Sequence, residues 1–192
     1  TLGKGRATQY ARPRVVRGTT STFPVFRIDK SGDAHLMGKL CTLMAGQYWW
    51  QDEEHTSGNR LYDYLPWFIQ DMRPDGFLGR AFANKEGADL GLPDQLKRWT
   101  DDDVLIALSW RGEDHIGNLI IGDESIQRYI KAAQHKYPGI SEKDRLKIYP
   151  ELAEKALRGD PAGSSAGGEQ QKFTATIQDG DELRHVLVKF SS

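Results

Sequence analysis

The residues whose types and spacing best suit chemistry lie near the C-terminal end. Ser164, Ser165, Ala166, Gly167 and Gly168 form a run of small residues, followed by Glu169, Gln170 and Lys172. Such a loop lets backbone N–H groups come close to a bound phosphate. Two strands follow by alternation. Phe173, Ala175 and Ile177 share one face of the first, and Lys172, Thr174 and Thr176 share the other. A turn over Gln178–Asp181 leads to the second strand. There Val186, Val188 and Phe190 face one way, and His185, Leu187 and Lys189 the other. A lysine within a strand that otherwise reads as buried needs a partner for its charge. A nucleotide phosphate or a glutamate from a neighbouring helix supplies one. The spacing GxxxxGK[ST] is absent, so this is not a Walker A loop. The same residues also read as a surface linker over 161–168 and an anti-aggregation lysine on an edge strand.

Other chemistry-bearing residues are more scattered. Arg73 and Arg80 suit an anion, or equally local carboxylates. His115 stands beside Glu113 and Asp114, a candidate ligand or base cluster, although a tight turn explains the same residues. Asp101, Asp102 and Asp103 precede the apolar run Val104–Leu108, which favours helix capping over metal binding. Trp49 and Trp50 pack on either side of a strand or stack on bases. Lys4, Arg6, Arg12, Arg14 and Arg17 make the first seventeen residues basic. They read as a solvated tail, or as the wing of a winged helix-turn-helix with Arg6, Arg12 and Arg14 on DNA phosphates.

The elements that must position these residues follow the chain. Phe23–Ile28 and His35–Met44 form a hairpin about the turn Asp29–Asp33. Leu61, Leu65, Phe68, Ile69 and Met72 have helical spacing, with Pro66 near the start. Residues 73–82 begin as a turn and become a helix or a strand. Thr100 or Asp101 caps a helix that ends at Gly112. Asn118–Gly122 is a short strand, and Ile126, Tyr129, Ile130 and Ala133 mark one helical face. Pro150 opens a further helix that stops at Gly159.

Composition sets the bounds. Of 192 residues, 38% are hydrophobic and 28% charged, and the net charge is −1. That is an ordinary soluble chain with no global basic field. The single cysteine, Cys41, excludes an internal disulfide and a cysteine metal cage. No apolar run approaches the roughly 20 residues of a membrane span, and no signal-peptide core is present. A reducing, cytoplasmic location without membrane partners is expected.

The motifs resemble those of the HipA-like serine/threonine kinases, toxins of bacterial toxin–antitoxin systems. Ser165–Lys172 is similar to the signature S-x-[GA]-G-x-Q-x-K, with Gln171 where proline or glutamate is usual. Asp103–Gly117 resembles a helix ending in G-x-D-x-x-G, and Arg73–Arg80 resembles the L-x-P-E-G segment. His185–Lys189 resembles the strand that carries the ATP-binding lysine. The wording Ser164-Ser-Ala-Gly-Gly-Glu-Gln170 and the basic segment resemble the branch called YjjJ or HipH, whose members look like a winged-helix part fused to a kinase.

The resemblance implies an α+β fold, the N-terminal lobe of a kinase-like fold, with a mixed antiparallel sheet and flanking helices. It implies a basic segment over 1–19, a HipA-like subdomain over 20–125 and the start of the kinase lobe over 126–192. Ser164, Ser165, Ala166, Gly167, Gly168, Glu169, Gln170 and Lys172 would cover the ATP phosphates. Lys189 would hold them, and Ser165 would be autophosphorylated. ATP and Mg²⁺ are the implied cofactors, and a translation-related protein is the implied substrate. The residues that orient the hydroxyl and bind metal belong to the family's C-terminal lobe. Three residues follow Lys189, so no catalytic or metal-binding residue is expected in this chain. Taken alone, it is expected not to transfer phosphoryl groups. The alternative is a non-enzymatic antitoxin-like regulator that binds a partner kinase or DNA.

Overall fold

Alternation of Phe23 and Val25, both buried, against partly exposed neighbours makes strand β1 (Thr22–Ile28) one-sided. The computed structural model describes residues 10–115, 117–134, 139–159, 168–180 and 182–191. β1 pairs with β2 (Ala34–Thr42) through the turn whose Asp29 carboxylate accepts from the N–H groups of Ser31 and Asp33. A bulge opposite Val25 and Phe26 interrupts the ladder. β3 (Tyr48–Asp52) and β4 (Arg60–Tyr62) extend one edge, and β5 (Leu119–Ile121) pairs with β1 at the other. The order is β4-β3-β2-β1-β5, antiparallel throughout. Trp50 is buried and Trp49 half-buried, so the tryptophan pair packs rather than presenting an open stacking face.

Two short helices, α1 (Trp67–Gln70) and α2 (Gly76–Glu86), precede the central helix α3 (Asp101–Arg111). Every residue from Asp103 to Ser109 in α3 is buried. An apolar circumference of this kind is stable only when surrounded. Val104, Leu105, Ile106 and Leu108 lie in one core with Phe23, Val25, Leu40 and Trp50 of the sheet. The N-terminus of α3 carries a full capping box between Thr100 and Asp103. The three aspartates each face an arginine. Arg73 pairs with Asp101, Arg14 grips Asp102 with two bonds of 2.5 and 2.8 Å, and Arg17 approaches Asp103 at 3.6 Å. At the other end the buried Ser125 hydroxyl donates to the Leu108 carbonyl and accepts from the Gly112 N–H. It thereby ties α4 (Asp123–Gln134) to α3.

The remaining elements form a smaller layer. Helix α5 (Glu142–Leu157) packs on a hairpin of β6 (Lys172–Asp179) and β7 (Glu182–Lys189). Ala156, Phe173, Tyr149, Leu152 and Val188 share its core with Phe77 of α2. Ile140 bonds to the outer edge of β6 through Thr176 and Gln178. No helix among the described residues is long and apolar enough to cross a membrane.

Three expectations change. The helical spacing from Leu61 to Met72 yields one short turn after Pro66, because Leu61 and Tyr62 pair with β3 instead. Pro150 lies inside α5 rather than at its start, with Ser141 as N-cap. Its missing N–H leaves the Leu146 carbonyl without an intrahelical partner, on a residue that is 90% exposed and open to water. Residues 12–16 are not a solvated tail. Pro13 bridges to Leu43, Arg14 N–H donates to the Thr42 carbonyl, and Val16 is fully buried in the core.

Val16 therefore anchors the basic segment. Val16→Ala should lower stability by about 2 kcal/mol, the usual scale for deleting buried methyl groups. Urea unfolding followed by tryptophan fluorescence checks this. An unchanged midpoint contradicts the anchoring.

Candidate functional site

The glycine-rich loop can be followed at its C-terminal end. Ser164, Ser165, Ala166 and Gly167 lie outside the described residues, as does Arg6. From Gly168 onward the chain is held by α2. Gly76 and Phe77 form the first turn of that helix, where backbone N–H groups have no partner within the helix. The N-cap residue Asp75 makes no side-chain cap. Instead the Gly168 carbonyl accepts from the Phe77 N–H at 3.1 Å, across 91 residues of sequence. The backbones touch so closely that a Cβ on Gly76 would lie 2.5 Å from the Gly168 carbonyl oxygen. Both glycines have positive φ, 64° and 95°, which other residues rarely adopt.

Glu169 follows, and its carboxylate takes two bonds from the Arg80 guanidinium, at 3.0 and 2.6 Å. That pairing holds the Glu169 carboxyl below its usual pKa. Arg80 stands one helical turn beyond Gly76, so both present to the same end of the loop. Gln170 is exposed. A groove of about 870 Å³ runs beside this contact, walled by Pro74, Arg80, Leu96, Trp99 and Glu169.

Lys172 is only 2% exposed, and its Nζ donates to the Gly168 carbonyl at 2.8 Å. Burial lowers its pKa, the charge of Lys189 lowers it further, and Glu169 opposes both. Lys172 and Lys189 are direct cross-strand partners, so their side chains leave the same face of the hairpin. The other face is the one that packs on α5. The lysine face continues through Thr174, Thr176, His185 and Leu187, with Leu187 42% exposed. Lys189 is exposed, not enclosed in a buried strand as the alternation suggested, while Lys172 opposite it is buried. One exposed lysine and one buried lysine, paired across the strands beside the loop's base, suit an anionic group such as a polyphosphate.

The other candidates are placed elsewhere. Arg73 donates to Asp101 and to the Trp99 carbonyl, and serves α3. Arg14 is likewise engaged with Asp102, while Arg12 is exposed. His115 stacks edge-on against Phe82 and bonds to the Met72 backbone. It packs against Phe82 of α2. Burial pushes its pKa down to about 4. Residue spacing within the loop gave no sign of Gly76, Phe77 or Arg80 as its neighbours, since that contact joins segments some 90 residues apart in sequence.

His115 makes stability depend on pH. Its folded-state pKa lies below the unfolded value, so the unfolded chain binds the extra proton between roughly pH 6.5 and 4. The stabilisation is complete above that window and is lost as pH falls through it, by about 2 kcal/mol at pH 5. Urea midpoints at pH 7.5 and 5.0 should show this loss. His115→Gln should remove most of it, and an equal loss in the variant rejects the assignment.

Comparison with known proteins places these features in a family. The YjjJ-like toxin middle domain matches residues 19–130. Toxin YjjJ of Escherichia coli (strain K12) is 41% identical over 196 residues, covering 99% of this chain and 42% of that protein. The chain thus spans less than half the length of this curated relative. No solved structure matches.

Proposed function

The chain belongs to the YjjJ-like toxin family, and from that premise we propose that it carries the loop-and-lysine half of an ATP site in a HipA-like serine/threonine protein kinase toxin. The observation that carries this reading is the cross-strand pair of Lys172 and Lys189 beside the docked end of the glycine-rich loop. Like charges directly opposed on a strand pair are destabilising. An anion between them reverses the sign of that term.

Each residue then has a role. Lys189, exposed on the open face, meets the phosphate charge. Lys172 is held to the Gly168 carbonyl and adds a second, fixed positive charge at the loop's base. Ser164, Ser165, Ala166 and Gly167 cover the phosphates through their backbone, and the Ser165 hydroxyl is the acceptor for self-phosphorylation. Bound MgATP supplies the transferable phosphoryl group. The hairpin face with Thr174 and Leu187 is one wall of the site, and no residue of this chain is assigned the catalytic step. The proposed protein substrate is translation-related, as the kinase resemblance implies.

The test uses the full-length protein in which these residues occur, with ATP labelled in its γ-phosphate. Label should appear at Ser165 and be absent in Ser165→Ala. Lys189→Met should slow incorporation about a hundredfold, the usual effect of removing a charge stabiliser. No incorporation by the unaltered protein refutes the kinase reading.

A further inference from the structure

We infer that Arg80 is a positioning residue for the glycine-rich loop, holding Gly168–Gln170 in register with the Lys172–Lys189 pair through its fork on Glu169. The inference rests on the nucleotide reading above and names what sets the loop's geometry.

Four contacts converge on two adjacent residues. Gly168 gives its carbonyl to the Phe77 N–H and to the Lys172 ammonium, at 3.1 and 2.8 Å. Gly76 lies flat against its backbone. Glu169 receives both arms of Arg80. The first three contacts fix where Gly168 sits. The Phe190 N–H donates to the Gln171 carbonyl at 3.1 Å and anchors the chain again, which leaves a pivot over Glu169 and Gln170 between the two anchors. The bidentate Arg80 pair removes that pivot, since a planar fork sets orientation as well as distance. A lysine at residue 80 would supply the charge without the orientation.

The ion pair is poorly suited to a role in global stability. The Arg80 side chain is 51% exposed and that of Glu169 is 74% exposed. Exposed pairs contribute little to folding. The neighbouring charges also favour this placement of the carboxylate, since Lys97 and Lys172 attract Glu169 alongside Arg80. The pair therefore acts on the local order of the loop's base. A loop that carries phosphates on its backbone is sensitive to such order, because misplacement by about 1 Å costs up to a hundredfold in rate.

The experiment compares full-length unaltered protein with Arg80→Ala, Arg80→Lys, Glu169→Gln and the Arg80→Ala/Glu169→Gln double variant. Hydrogen exchange of the 168–172 backbone is measured without nucleotide, alongside thermal midpoints and KM for ATP in Ser165 phosphorylation. Arg80→Ala and Glu169→Gln should each leave the thermal midpoint unchanged and speed exchange at 168–172. Each should raise KM about tenfold. The double variant should be no worse than either single one, and Arg80→Lys should fall between. Unchanged exchange in Arg80→Ala overturns the inference, and so do additive effects in the double variant. Failure of the unaltered protein to use ATP refutes the kinase reading alone. Faster exchange in Arg80→Ala would then still support the clamp on the loop.

Discussion

The structure depends on burying α3. A helix with Val104, Leu105, Ile106, Ala107 and Leu108 all nearly inaccessible must be enclosed on every side. Its N-terminus nevertheless carries Asp101, Asp102 and Asp103. Three carboxylates at a helix N-terminus suit the dipole, but they repel one another. The fold answers with one arginine apiece, from the entering segment (Arg14 and Arg17) and from the α1–α2 connection (Arg73). These ion pairs join remote segments to the N-terminus of α3. Val16 then fills the core position that Arg14 and Arg17 flank.

The same economy of contacts links the larger layer to the hairpin. Helix α2 has no side-chain N-cap of its own, and the Gly168 carbonyl occupies that role. Capping the helix and seating the loop are one interaction, so neither end can shift independently. Phe77, next to the cap, inserts into the smaller core with Tyr149 and Phe173. The family match over 19–130 covers α2 but not the loop. The loop's base is thus built on a helix of the family's middle domain.

Much of the local structure was legible in the residues. The β1–β2 hairpin follows from strict alternation and an Asx turn at Asp29. The residues narrow the α3 cap to Thr100 or Asp101, and Thr100 is the residue that caps. The β6–β7 faces follow from alternation, and Phe173 and Ile177 are buried as it required. Misreadings arose where tertiary partners outweighed local pattern. Leu61 and Tyr62 joined a sheet edge instead of a helix. Pro150 was absorbed into α5, where the residue whose carbonyl it orphans, Leu146, is 90% exposed. Arg14, in a basic segment that reads as either a solvated tail or a wing on phosphates, pairs with a carboxylate 88 residues away.

The sequence by itself determined the β1–β2 hairpin, the α3 helix, the alternating faces of β6 and β7, and the residue types at the loop: small residues, a glutamate and two lysines. Those follow from backbone sterics and side-chain periodicity, which act over a few residues. Only the tertiary structure decided that Lys172 is buried on Gly168 while Lys189 stays open, and that Arg80 holds Glu169. Those outcomes depend on which of many available charges and carbonyls come within about 3 Å. That proximity is set by packing α5 and α2 against the hairpin, not by spacing along the chain.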